Sequence, residues 1–152
     1  MMDLDKNISL SPNKNKFKIM VLEDNVFYNN ILTKRIMSYV EMLSFAFNTN
    51  YKFDLQSYTT AYEGIKNLKS DTDIVFIDYF LDHKINASDL FDKIRTKCRN
   101  CKIVVISNIK TIAPILQFFT NDAITFIYKD EEALTKMCRI VDEVVTANRI
   151  LP

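Results

Sequence analysis

Five parallel β-strands alternating with helices, forming an open sheet covered on both faces, is the α/β fold this sequence predicts, and three observations predict it. Short apolar runs, too brief for helices, recur at Lys18–Leu22, Phe53–Tyr58, Ile74–Ile77, Ile103–Ile106 and Ala123–Tyr128. Between them, apolar residues recur every three or four positions, the spacing of one helix face. The runs at 19–22, 74–77 and 103–106 are unbroken rather than alternating, as in strands buried on both sides of a parallel sheet.

Each element follows from its residues. The first strand ends abruptly in Glu23-Asp24-Asn25, and Tyr28, Leu32, Ile36, Val40, Leu43 and Phe47 then mark one face of a long helix that Asn48-Thr49-Asn50 breaks. After the second strand, Thr60-Ala61-Tyr62-Glu63 spells a capping box, continued by Ile65 and Leu68. The third strand ends at Asp78, and Leu90, Phe91 and Ile94 mark the third helix. The fourth strand ends at Ser107, before a brief helix over Ile112–Phe119 that tolerates Pro114 in its first turn. The fifth strand ends at Lys129, and Leu134, Met137, Cys138, Val141, Val144 and Val145 close the chain as a helix. Five βα units with right-handed crossovers favour the flavodoxin-like, doubly wound (βα)5 order 2-1-3-4-5. One domain over 16–152 is expected, preceded by a flexible polar tail over 1–15 that has no apolar stretch of a signal peptide.

Composition narrows the function. The chain has 152 residues, 48% hydrophobic and 26% charged, proportions that support a buried core. A net charge of +1 carries no footprint for nucleic acid or an anionic membrane, and no apolar run is long enough to span a bilayer. A single glycine excludes both glycine-rich phosphate loops, which need several. Three cysteines fit a reducing cytoplasm better than a disulfide framework. Cys98 and Cys101 form a lone CxxC, but only Cys138 and His83 remain to complete a four-ligand metal site, so ordinary thiols are the better reading.

Ligands of open α/β sheets bind beyond the carboxyl ends of the strands. There this sequence places Glu23 and Asp24, Asp78, Ser107 and Lys129. Singly, each is what a turn former, a helix cap or a surface lysine would give; five at one edge are a constellation. Carboxylates without sulfur or imidazole suit a hard cation such as Mg2+, which is held by few carboxylates together with phosphate oxygens. Asp78 can act as a carboxylate nucleophile, with the lysine and hydroxyl contacting a phosphoryl group.

The segments Val21–Asn25 (VLEDN), Asp73–Asp78 (DIVFID), Ile103–Ser107 (IVVIS) and Thr125–Lys129 (TFIYK) closely resemble the receiver domain of two-component response regulators. The resemblance runs over 16–148, and the interval of 22 residues from Ser107 to Lys129 matches that family's usual spacing. It implies Asp78 as the phosphoacceptor, and Glu23, Asp24, Asp78 and the backbone carbonyl of Phe80 as the protein ligands of Mg2+. Ser107 takes the place of the switch hydroxyl, Lys129 that of the bridging lysine, and Phe126 that of the aromatic whose rotamer follows the hydroxyl. It further implies a sensor histidine kinase or phosphotransfer protein as donor, and a downstream protein target. The only catalysis implied is the chain's own phosphorylation and dephosphorylation, in the cytoplasm. Outward residues near Ile112–Phe119 correspond to the face of the fourth helix, fifth strand and fifth helix on which receivers commonly form homodimers.

Several positions depart from the family pattern. Asp82 replaces a common proline, Asn86 a glycine, and Asp130 the proline that usually follows the lysine. Asn108 stands at a position that is usually small, and with Phe80 it would obstruct an attacking water, which predicts a long-lived phosphoryl form. The stretch over 45–52 is longer than usual and would extend the first helix and offer a partner surface. His83, five residues past Asp78, reads as an exposed loop histidine, with a phosphate-relay role as its alternative. Two other classes compete for the same residues. A haloacid-dehalogenase-type phosphatase wants a second acid two residues after the nucleophile, where this chain has Phe80. A phosphorylation-independent pseudo-receiver, acting as a protein-binding module, is opposed by the complete set of Glu23, Asp24, Asp78, Ser107 and Lys129 and favoured by Asp82 and Asn108.

Overall fold

In the computed structural model, which describes residues 14–46, 50–79, 87–109 and 124–148, β1 (Lys16–Leu22) lies between β2 (Lys52–Tyr58) and β3 (Ile74–Asp78). β4 (Lys102–Ser107) and β5 (Thr125–Tyr128) continue the sheet, all pairings are parallel, and the order is β2-β1-β3-β4-β5, as expected. The helices are α1 (Val26–Ala46), α2 (Ala61–Asn67), α3 (Ala87–Lys97) and α4 (Ala133–Ala147). The expected helix over 112–119, together with Phe80, Asp82, His83, Asn86 and positions 1–13 of the tail, lies outside the described residues. Among the described residues no helix is long and apolar enough to cross a membrane.

β1 starts two residues before its apolar run because it pairs with β2 along its whole length, from Lys16↔Lys52 to Leu22↔Tyr58. Asp73 anchors the start of the sheet: its carboxylate accepts from the Lys18 backbone N–H at 2.9 Å and pairs with Lys14, and its carbonyl accepts from Lys102 N–H at 2.8 Å. β2 is the edge, and exposed Lys52, Asp54 and Gln56 on its outer face discourage pairing with another chain.

Alternation along the strands divides the core in two. On one face Phe17, Ile19, Val21, Ile74, Phe76, Val104, Ile106 and Ile127 pack beneath α1 and α4, which contribute Leu32, Ile36, Val40, Leu43, Met137, Val141 and Val145. On the other, Met20, Leu22, Val75, Ile77, Ile103 and Val105 pack beneath α2 and α3 with Leu90, Phe91 and Ile94. The predicted cap of α2 forms, with Thr60 Oγ1 accepting from Glu63 N–H at 3.2 Å, and Lys97 Nζ donates to the carbonyls of Ile65 and Lys66 at its far end. Asn25 caps α1, its Oδ1 accepting from Tyr28 N–H at 2.9 Å.

The CxxC cysteines are buried free thiols. Cys98 Sγ donates to the carbonyls of Ser70 and Thr72, and burial pushes the Cys101 thiol up to about 12, a protonated packing group rather than a metal-ligating or redox thiolate.

The single glycine does local work. A Cβ on Gly64 would stand 2.2 Å from Leu22 Cδ2, so α2 sits against β1 closely enough that any larger residue there must displace the Leu22 side chain. Gly64→Ala would gain about 1 kcal/mol of helix propensity but would force the fully buried Leu22 aside, at a cost of about 1–3 kcal/mol. A net loss of about 1 kcal/mol is expected by chemical denaturation, with part of it recovered when Leu22→Val is added.

Candidate functional site

The strand register delivers the predicted residues to one edge of the sheet. Leu22 pairs with Ile77, Asp78 with Ile106, and Ser107 with Tyr128, so the carboxyl ends of β1, β3, β4 and β5 lie side by side. The ladder continues one residue beyond the strands: Glu23 N–H donates to Tyr58 O at 3.1 Å and Lys129 N–H to Ser107 O at 2.8 Å. Glu23 and Lys129 are therefore held by backbone as well as by side-chain contacts.

Glu23, Asp24, Asp78 and Lys129 meet as expected. Lys129 Nζ lies 3.2 and 3.1 Å from the two oxygens of Glu23 and 3.4 Å from Asp78 Oδ2. Glu23 is 1% exposed and Asp78 6%, whereas Asp24 stands open to solvent. One ligating oxygen from each of the three carboxylates can be chosen so that all lie within 4.8 Å of one another. Burial, and then repulsion from Asp78, raises Glu23 to about 7 despite the lysine, and the same two causes raise Asp24. The cluster thus carries more negative charge than Lys129 offsets, and its donors are all oxygen, which fits a hard divalent cation such as Mg2+.

Ser107 is fully buried at the end of β4, its Oγ accepting from Ile109 N–H at 3.0 Å, which leaves its hydroxyl proton for a second partner. Phe126 is half-buried in β5, opposite Val105, and packs on the α2/α3 side of the sheet. Asn108 is exposed and, with Glu23, Lys129 and Asp130, lines a cleft of about 310 Å³. Asp130, in place of proline, accepts from Glu132 N–H at 2.9 Å and helps to start α4.

Three residues had no distinct signal in the sequence. Tyr28 fits the helix periodicity as a core residue, yet its ring centroid lies 4.6 Å from Lys129 Nζ, a cation–π contact that holds the ammonium over the carboxylates. Buried Asn29 donates to Glu23 O and Tyr58 O, fixing the turn that presents Glu23. Asn25, the cap of α1, shapes the same turn.

The raised Glu23 makes stability depend on pH. An unfolded glutamate loses its proton near 4.5 and the folded one near 7, so the folded state binds more protons between these values and loses stability as pH rises through them. Without divalent cations, Tm is expected to fall by several degrees between about pH 5 and pH 8. Mg2+ is expected to raise Tm more at about pH 8 than at about pH 6, read by thermal melts across a cation titration.

Against known proteins, the sequence matches no family model and no curated protein. Many solved structures of the same fold are response regulator receiver domains. The response regulatory domain of protein mrkE from Klebsiella pneumoniae is 17% identical, with a TM-score of 0.64 over 87% of this chain and 98% of that one. The CheY-like receiver domain protein from Methanospirillum hungatei is 13% identical, with a TM-score of 0.60 over 87% and 95%. The BeF3-activated DrrB receiver domain is 14% identical, with a TM-score of 0.60 over 86% and 98%. The chain has the receiver-domain, CheY-like fold.

Proposed function

We propose that this chain is a receiver of a response regulator: a switch that accepts a phosphoryl group on Asp78 and transmits the change to another protein. The observation that carries this reading is the joint placement of Glu23, Asp24 and Asp78 with Lys129 spanning Glu23 and Asp78 at the carboxyl edge of the sheet.

In the proposed transfer, an Asp78 carboxylate oxygen forms a bond to phosphorus as the phosphorus–nitrogen bond of a phosphohistidine breaks, and the imidazole leaves with the electron pair. Lys129, already 3.4 Å from Asp78, balances charge on the arriving phosphoryl oxygens. The Ser107 hydroxyl donates a hydrogen bond to the phosphoryl group, and Phe126, inside β5, follows the movement. Glu23 and Asp24, with Asp78, would hold Mg2+, which when bound supplies positive charge to the phosphoryl oxygens. The donor is a sensor histidine kinase or phosphotransfer protein, and the output is a protein target.

The test is intact-protein mass after incubation with acetyl phosphate and Mg2+, followed by a phosphorylated histidine-kinase domain as donor. A gain of one phosphoryl group that requires Mg2+ and Asp78 is expected. No gain from either donor would leave a phosphorylation-independent binding module as the better reading.

Asn108 at the rim of the cleft bears on lifetime. Asn108→Ala is expected to shorten the half-life of the phosphoryl form by about three- to tenfold by opening a path for water, measured as loss of the mass shift after the donor is removed.

A further inference from the structure

The outer side of α1 carries a large exposed apolar residue at each end, Phe27 and Phe45, with polar Lys34, Ser38 and Glu41 between them. Leu32, Ile36, Val40 and Leu43 are buried on its inner side. Opposite them stand Phe27, Met42 and Phe45, respectively 75%, 50% and 90% exposed, with Met37 on the flank. The 21 residues of the helix carry only three charges, Lys34, Arg35 and Glu41. Together Phe27, Met37, Met42 and Phe45 present on the order of 500 Å² of apolar surface, with Phe27 and Phe45 about 27 Å apart at the two ends of the face.

The pattern along this face is self-complementary. Phe27 and Phe45 are five full turns apart and share one azimuth, and exposed Lys34 and Glu41 lie between them, two turns apart. Were two copies of α1 to pack antiparallel about a two-fold axis near Met37, Lys34 of each would lie about 1.5 Å along the axis from Glu41 of the other, twice over. The same axis brings each Phe27 within about 3 Å, along the helix, of the other copy's Phe45. A parallel pairing would set Lys34 against Lys34 and Glu41 against Glu41.

We infer that the outer face of α1 docks a second copy of this chain, as an antiparallel two-fold helix pair with reciprocal Lys34–Glu41 contacts. Two such faces bury about 1,000 Å², the lower bound of specific interfaces, so the dimer is weak and concentration-dependent. Phe27 also lines the cleft beside Lys129, so pairing would cover one wall of the candidate site.

Sedimentation velocity on the full chain, from about 5 to 500 µM, tests this, with circular dichroism as the check on folding. A monomer–dimer equilibrium is expected, weakened about tenfold or more by Lys34→Glu or by Glu41→Lys alone, and restored to within about threefold when the two reversals are combined. Phe45→Ser is expected to give a monomer. A monomer at every concentration, a dimer indifferent to the single reversals or to Phe45→Ser, or a double reversal that fails to restore association would each overturn the inference.

Discussion

Asp78→Asn is expected to make the protein more stable above neutral pH and unable to take up a phosphoryl group. Asp78 is the main charge, after burial itself, that raises Glu23 to about 7. Two carboxylates with oxygens less than 5 Å apart repel by about 3 kcal/mol at the effective dielectric of such sites. The asparagine removes that repulsion and weakens the 3.4 Å contact with Lys129, which keeps both of its contacts to Glu23. A net gain of about 1–2 kcal/mol is expected near pH 8. It should vanish below about pH 5, where Glu23 holds a proton in the parent protein and the repulsion is already gone. Denaturant melts at the two pH values read the difference, and intact mass reads the loss of phosphoryl uptake, since an amide oxygen is a poor nucleophile at phosphorus. If the variant were less stable at high pH, the repulsion assigned to Glu23 and Asp78 would be wrong.

Lys129→Met is expected to act in the opposite direction. Among the described residues Lys129 is the cation in contact with the buried carboxylates, and its side chain is 12% exposed. Its removal takes away the positive charge it supplies to Glu23 and Asp78. Breaking a buried pair costs about 3–5 kcal/mol when the partner stays ionised, but Glu23 can take up a proton instead, so a loss of about 2–3 kcal/mol near pH 8 is expected. Near pH 5 the loss should be under about 1 kcal/mol, because Glu23 is already neutral. The rate of phosphoryl uptake should fall by about 10²–10³, the usual effect of losing a charge that stabilises a transferring group. Lys129→Arg keeps the charge but spreads it over a planar fork that must fit beside the Tyr28 ring, so it is expected to recover stability better than rate. Equal recovery of both would mean that Lys129 serves only as a countercharge.

Periodicity predicted all four described helices and all five strands, because it reports which side of an element faces the core. Polar residues at strand ends were equally legible: a parallel sheet must release its chain at the carboxyl edge, and Glu23, Asp78, Ser107 and Lys129 follow four of the runs. Boundaries were less so. β1 and β2 begin earlier than their apolar residues, because a parallel ladder satisfies backbone groups whatever side chains they carry. Tyr28 shows the limit of a one-dimensional pattern. Its spacing from Leu32 places it on the packed side of α1, but what lies across from it is Lys129, about a hundred positions away along the chain.

The amino-acid sequence by itself determined the strand-helix alternation, the parallel order and the residues gathered at one edge of the sheet, since all three follow from local geometry and the chirality of crossovers. Tertiary structure alone decided how those residues share charge. Glu23 is raised because packing removes it from water beside Asp78, Lys129 is held by an aromatic ring from another element, and the CxxC thiols lie in the core with carbonyl partners. Desolvation and Coulomb energy depend on distances across the fold, and those distances exist only once register and packing have brought remote segments together.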